Sequence, residues 1–103
     1  MAIILNTPRG RYSIAPAAPV DAAGDALVIT LALARADGIE RVALRCRVAR
    51  ALAGAADLDE IVARLGLWLE RDFEAVRETA LKTIRAERRM HEFVFDAANR
   101  GPF

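Results

Sequence analysis

The sequence predicts an α+β domain in which a three- to four-stranded antiparallel sheet has its apolar face covered by one long or two shorter C-terminal helices. Residues 26–50 alternate apolar and polar side chains on both sides of an Asp37-Gly38 turn, and residues 57–89 repeat apolar side chains at helical spacing. A chain of 103 residues is long enough for one domain, 1–103, with its own core. Because an isolated hairpin is marginal in water, the helical stripe is expected to cover its apolar side.

The hairpin is the best-marked element, and its core face follows from residues that recur at every second position. They are Leu27, Ile29, Leu31 and Leu33 on the first strand, and Val42, Leu44, Cys46 and Val48 on the second. The positions between them, beginning with Val28 and Arg41, are predicted to face water. Gly38 supplies the backbone freedom that a tight turn needs.

The N-terminal third is predicted to add extended segments to this hairpin. Residues 2–5 form a short extended run, and residues 9–15 alternate, with Tyr12 and Ile14 on one side. We expect 9–15 to be an edge strand, where Pro8 and exposed arginines are tolerated. Residues 16–25 have two prolines, a glycine and no periodicity, so a mobile loop is predicted there.

The helical segment has a clear start, since Asp57 can cap free backbone N–H groups and Glu60 follows at the capping-box spacing. Its apolar stripe comprises Leu58, Ile61, Val62, Leu65, Leu69, Phe73, Val76, Ala80 and Ile84. One continuous helix over 57–89 would be about 50 Å long, so we expect a break at Gly66; the alternative is a projecting helix that packs on another copy. Residues 91–96 fit a strand or a helix, and the alternation of Phe93 and Phe95 favours a strand, followed by a flexible tail at 99–103.

Composition excludes several classes of function. A net charge of +1, from 15 basic and 14 acidic residues, gives no overall attraction for polyanions or acidic lipid. The single Cys46 cannot form an intrachain disulfide and is predicted to be a core residue, in keeping with a cytoplasmic protein. No stretch has the length of a membrane span. Without a phosphate-binding glycine loop or a metal-spaced Cys or His pair, no cofactor or metal is predicted.

Two surface features suggest binding. Leu67 lies opposite the apolar stripe, and Trp68 lies at its margin. We favour the interpretation that the chain turns at Gly66 and buries both residues. The alternative is that Leu67 and Trp68 form, with Arg71, an interface to a second subunit. Arg41, Arg45 and Arg47 are predicted to share the wet side of the sheet, where they are either solvated or contact a polyanion. We favour solvation, because no aromatic residue interleaves them.

These features support three hypotheses. The first is a non-catalytic structural or protein-interaction module that self-associates, as a homodimer. The second is a nucleic-acid-binding module that uses the three arginines. The third, and least favoured, is an enzyme that uses the lone His91 with Glu87 or Glu92 as a general base.

The order of the segments resembles a family of short bacterial proteins known only as a domain of unknown function. The resemblance rests on an extended start, a Gly-turned hairpin ending in LRCRVARAL, then FEAVRETALKTI and a terminal FVFD. The positions that carry it are Gly38, Cys46, Phe73, Arg77, Ala80, Ile84 and Phe95. The chain departs from the family in a longer connection before Phe73 and in lacking a glycine after its main helix. The resemblance implies a bacterial α+β domain of unassigned activity and no catalytic residue.

Overall fold

A six-stranded mixed sheet with helices packed on one face forms the protein, in a computed structural model that describes residues 2–87 and 90–103. In chain order the elements are β1 (Ile3–Thr7), β2 (Gly10–Pro16), β3 (Asp21–Ala23), β4 (Ala26–Arg35), β5 (Arg41–Ala49), α1 (Arg50–Ala53), α2 (Leu58–Arg71), α3 (Phe73–Glu87) and β6 (Glu92–Phe95). The predicted α+β class is confirmed. The sheet is larger than predicted and is not purely antiparallel.

The predicted hairpin, β4 and β5, lies at the centre of the sheet and pairs from Ala26 opposite Ala49 to Ala34 opposite Arg41. All residues predicted to face the core are buried except Leu27, which is half-buried. Gly38 has a φ of 77°, a conformation that L side chains rarely adopt, so the predicted turn is confirmed. Alternation and turn chemistry therefore determine both the register and the buried face of this element.

Val28 was predicted to face water but is only 3% exposed. The Arg47 side chain on β5 reaches the backbone carbonyl of Ala23 on β3, with an Nη2 to oxygen distance of 3.4 Å. Because β4 lies between these strands and Val28 is opposite Arg47, the aliphatic stem of Arg47 crosses over Val28. An arginine, rather than a helix, covers this residue.

The strand order β1-β2-β4-β5-β6, with β3 also beside β4, corrects two predictions. Residues 9–15 do not form an edge strand, because β1 pairs with β2 through a tight turn and itself becomes the edge. The strand predicted at 91–96 is present, but it runs parallel to β5. It is parallel because the helical segment returns the chain to the end of the sheet at which β5 begins.

The segments predicted to be a mobile loop and a flexible tail both make contacts with the rest of the fold, and the flexibility of the tail stays a prediction. Within 16–25, β3 pairs with β4, so this segment is partly strand, while the mobility of its tip stays a prediction. At the other end, the Phe103 ring lies 5.9 Å from the Phe95 ring, and the Arg64 guanidinium lies 5.7 Å from the Phe103 ring centre. The last residue of the chain is therefore in contact with the core.

The helical segment starts and divides at defined residues. The predicted cap is confirmed, since the Glu60 backbone N–H donates to an Asp57 carboxylate oxygen at 2.9 Å. The predicted break at Gly66 is wrong, because α2 continues to Arg71 and the chain turns at Asp72. A Cβ on Gly66 would lie 3.5 Å from side-chain atoms of Leu5 and Ile14, which is an ordinary contact distance, so α2 packs closely on the sheet at this buried residue. Residues 88 and 89 of the predicted helix lie outside the described residues.

A single core lies between the sheet and the helices. Its largest fully buried side chains include Tyr12, Phe73, Phe95, Leu44 and Leu65. The Tyr12 and Phe73 rings lie 4.7 Å apart and join β2 to α3. Among the described residues, no helix combines the length and the apolar composition that crossing a bilayer requires.

Candidate interaction surface

The residues predicted as an interface on α2 do not form one surface. Trp68 is 8% exposed, and its ring lies 5.3 Å from that of Phe93 and 4.9 Å from that of Phe95. The preferred prediction of local burial is therefore confirmed for Trp68. Leu67 was expected to be buried with it and is instead 67% exposed, because α2 continues straight through Gly66. Arg71 pairs with its neighbour Asp72 at 2.9 Å.

The three arginines of the second hairpin strand, Arg41, Arg45 and Arg47, do share one face of β5, as predicted, and we call them the β5 arginines. Arg41 and Arg45 are exposed, whereas Arg47 is half-buried. The nearest Glu92 carboxylate oxygen lies 3.9 Å from Arg45 Nε and 3.7 Å from Arg47 Nη1. This carboxylate offsets part of the positive charge at one end of β5.

The sheet surface that faces away from the helices, which we call the open face, has a floor of small side chains across its three central strands. The small-residue floor consists of Ser13 and Ala15 on β2, Thr30, Ala32 and Ala34 on β4, and Ala43 on β5. All six are half-buried by their own neighbours. The flanking edge strands add two large apolar side chains to this face, Ile4 at 55% exposure and Val94 at 41%.

The strand positions of this floor follow from the alternation in the sequence, but its apolar character was not predicted. Alternation assigns them to the wet side of a sheet, where polar residues are usual. Alanine occupies four of the six floor positions. That composition was the available signal, since a solvated strand face has no need for a run of alanines.

Side chains from elsewhere in the fold occupy one backbone group on each of the edge strands β1 and β6. On β1, the Asn6 backbone N–H donates to a Glu70 carboxylate oxygen of α2 at 3.1 Å. On β6, the Val94 carbonyl accepts from the side-chain amide of Asn99 at 2.9 Å. Bonds of this kind hinder another chain from pairing with an edge strand.

A polar cluster of Tyr12, Glu40 and Arg77, which we call the Glu40 cluster, joins the sheet to α3. Arg77 donates to Glu40 through Nε at 2.6 Å and Nη2 at 2.7 Å, and the Tyr12 hydroxyl donates to Glu40 at 2.9 Å. The Arg77 bonds lower the pKa of Glu40 to about 2, and burial beside this carboxylate raises the pKa of Tyr12. The cluster was not predicted from the sequence, because Glu40 and Arg77 are far apart along the chain and belong to no motif.

His91, the candidate general base, lies against Thr83 and Phe93. His91 Nδ1 lies 3.3 Å from the Thr83 hydroxyl, and its ring packs against that of Phe93 at 4.6 Å. The side chain of Glu87 lies outside the described residues. Burial raises the pKa of the Cys46 thiol to about 12, which makes it a poor nucleophile at neutral pH. Within residues 2–87 and 90–103, no three His, Cys, Asp or Glu side chains are grouped to hold a metal ion.

Comparison with known proteins does not extend this description. Neither a scan against protein-family models nor searches of curated proteins and of solved structures found a match to this chain. The resemblance to a domain of unknown function therefore stays a prediction.

Proposed function

We propose that this protein is a small non-catalytic interaction module that binds a protein partner on its open face. The observation that carries the proposal is the small-residue floor, which is largely apolar and not covered by the helical layer. A sheet with one solvated face usually places polar side chains there. Apolar surface retained on a folded protein is typical of interaction sites.

The occupied backbone groups on the edge strands β1 and β6 support this proposal. Strand addition is a common mode of partner recognition, but Glu70 and Asn99 already occupy polar groups on the outer sides of β1 and β6. A partner that adds a strand at β1 or β6 would compete with these bonds, which favours binding on the open face.

Nucleic acid is the less favoured ligand of the same face. The strand positions of the open face carry no aromatic side chain on which bases stack. One of the β5 arginines, Arg47, is also engaged by Ala23 and Glu92. Leu67 and Arg71 are the exposed members of the interface predicted on α2. Self-association through them stays a separate prediction.

The proposal is tested by selecting peptides from a random library on the wild-type protein and then measuring their affinity for two variants. Ala32→Trp fills the centre of the floor, and Ala63→Trp makes the same substitution at an exposed position of α2. We expect the selected peptides to lose at least about tenfold in affinity for Ala32→Trp and to keep it for Ala63→Trp. Circular dichroism verifies that both variants fold. Selected peptides that bind Ala32→Trp as tightly as wild type would contradict the proposal.

A further inference from the structure

Larger side chains flank the small-residue floor of the open face at a spacing that matches an α-helix, and we call the space between them the trough. Its sides are Ile4 on β1 and Arg41 on β5, which lie in the same cross-strand row and are separated by three strand spacings, or about 14 Å. A helix with its side chains is about 10–12 Å across. The small-residue floor between these sides allows a helix to approach the sheet closely. Helices already cover the other face, so a bound helix would complete a three-layer arrangement.

The trough is closed at one end and open at the other. Arg47 lies across β4 at the closed end, where it covers Val28. At the open end, Arg11 on β2 and Arg41 on β5 are both exposed. Arg41 and Arg45 are four residues apart on β5, about 13 Å, which corresponds to about nine residues of α-helix. A bound helix of two to three turns therefore passes both arginines.

The charge of this surface selects an acidic occupant. The strand positions of the open face carry four arginines, Arg11, Arg41, Arg45 and Arg47, against two acids, Asp21 and Glu92. Both acids lie toward the closed end, opposite Val28 and Arg45 in the strand register. The open end is therefore basic without a compensating carboxylate on its strands, and carboxylates on a partner would be attracted there.

A second copy of this chain fits the trough poorly. Two open faces packed together would bring the arginines of one copy against those of the other. The α2 surface at Leu67 is apolar, but Arg64 and Arg71 lie one helical turn away on either side. Like charges in an interface are destabilising, so the charge pattern favours a different, acidic chain.

We infer that the partner segment is an acidic amphipathic α-helix, which lies along β4 with its apolar stripe on the small-residue floor and its carboxylates toward Arg41 and Arg45. This inference rests on the proposed function, because it specifies what the open face binds.

The test uses four synthetic helical peptides of about 18 residues, a length at which isolated helices become measurable. Three share a stripe of alanine and leucine and carry Glu, Gln or Lys along one flank. The fourth keeps the Glu residues but has the stripe scrambled. Affinities are measured by fluorescence anisotropy at low salt, for wild type, the double variant Arg41→Glu and Arg45→Glu, and the control Lys82→Glu and Arg85→Glu, which changes the net charge equally on α3.

We expect the Glu peptide to bind wild type at least about tenfold more tightly than the Gln or the scrambled peptide, with a preference that weakens as salt is added. The Arg41→Glu and Arg45→Glu variant should lose that preference and bind the Lys peptide instead, whereas the α3 control should behave as wild type.

Three results would overturn the inference. Equal binding of the Glu and Gln peptides would show that charge does not select the partner. Equal binding of the scrambled peptide, or tighter binding of an oligonucleotide, would indicate a general polyanion site. Sedimentation that shows a dimer which the Glu peptide dissociates would indicate a second copy as the occupant. In each case, the proposed function would still hold if the library peptides lose affinity for Ala32→Trp. Failure of the acidic-helix inference can therefore be distinguished from failure of the proposed function.

Discussion

Replacing Glu40 by Gln should remove a part of the stability that depends on pH. Arg77 and Tyr12 hold the carboxylate in its charged form, and together they lower the pKa of Glu40 from 4.5 to about 2. Because the folded pKa lies below the unfolded one, this contribution is complete at neutral pH and is lost as the pH falls from about 5 to about 2. A pKa difference of this size corresponds to about 3 kcal/mol. The Arg77 and Glu40 side chains are 16% and 20% exposed, so screening by water reduces the expected contribution to about 1–3 kcal/mol.

The assay is urea unfolding of wild type and Glu40→Gln at a series of pH values from 7 to 2.5. The difference in unfolding free energy between them should be largest at neutral pH and should shrink as the acid is titrated. Arg77→Lys is the matched control, since it keeps the charge but loses the two-pronged geometry and should retain only part of the pH dependence. A difference between wild type and Glu40→Gln that stays constant over this range would refute the reasoning.

Three further predictions concern the surfaces and the helix. The protein should show no appreciable binding to single-stranded or duplex oligonucleotides at low salt; micromolar binding that disappears when the β5 arginines are all replaced by alanine, with the fold intact, would contradict this. If the protein self-associates through α2, sedimentation should show Leu67→Lys to be more monomeric than Ile39→Lys, a control on the exposed hairpin turn; equal behaviour would remove Leu67 from the interface. Gly66→Ala should raise the free energy of unfolding by about 0.5–1 kcal/mol, because alanine favours the helix and its Cβ meets ordinary contact distances; clear destabilisation in thermal melts would show that the glycine is required.

The central hairpin was predictable because its signals are local. Alternation over 26–50 and the Asp37-Gly38 turn depend on neighbours in sequence, and the structure follows both. Local signals also placed the helix start at Asp57 and the strand at 91–96. Strand order and direction could not be predicted from local signals, because they depend on which distant segments pair. Neither the interior position of β2 nor the parallel pairing of β6 is encoded in a local pattern.

The errors within the helical segment have a similar cause. Gly66 has a low helix propensity, which predicts a break, but it is buried where α2 packs on β1 and β2, and that packing keeps the helix continuous. Packing prevails over propensity at this residue. The Glu40 cluster was missed because its members become neighbours only when α3 docks on the sheet. Arg41 and Arg45 are exposed on the face that alternation predicts, whereas the floor beside them required knowledge of which strands are adjacent.

The open face as a binding surface is tested most directly by nuclear magnetic resonance, with the acidic helical peptide titrated into isotopically labelled protein. Backbone amide shifts should change most at Ala15, Ala32 and Ala43, which lie side by side on adjacent strands, and at Arg41 and Arg45. Amides of α2 around Leu67, on the opposite side of the sheet, should be unaffected. Shift changes centred on α2, or none at a peptide concentration that saturates the anisotropy signal, would contradict the account.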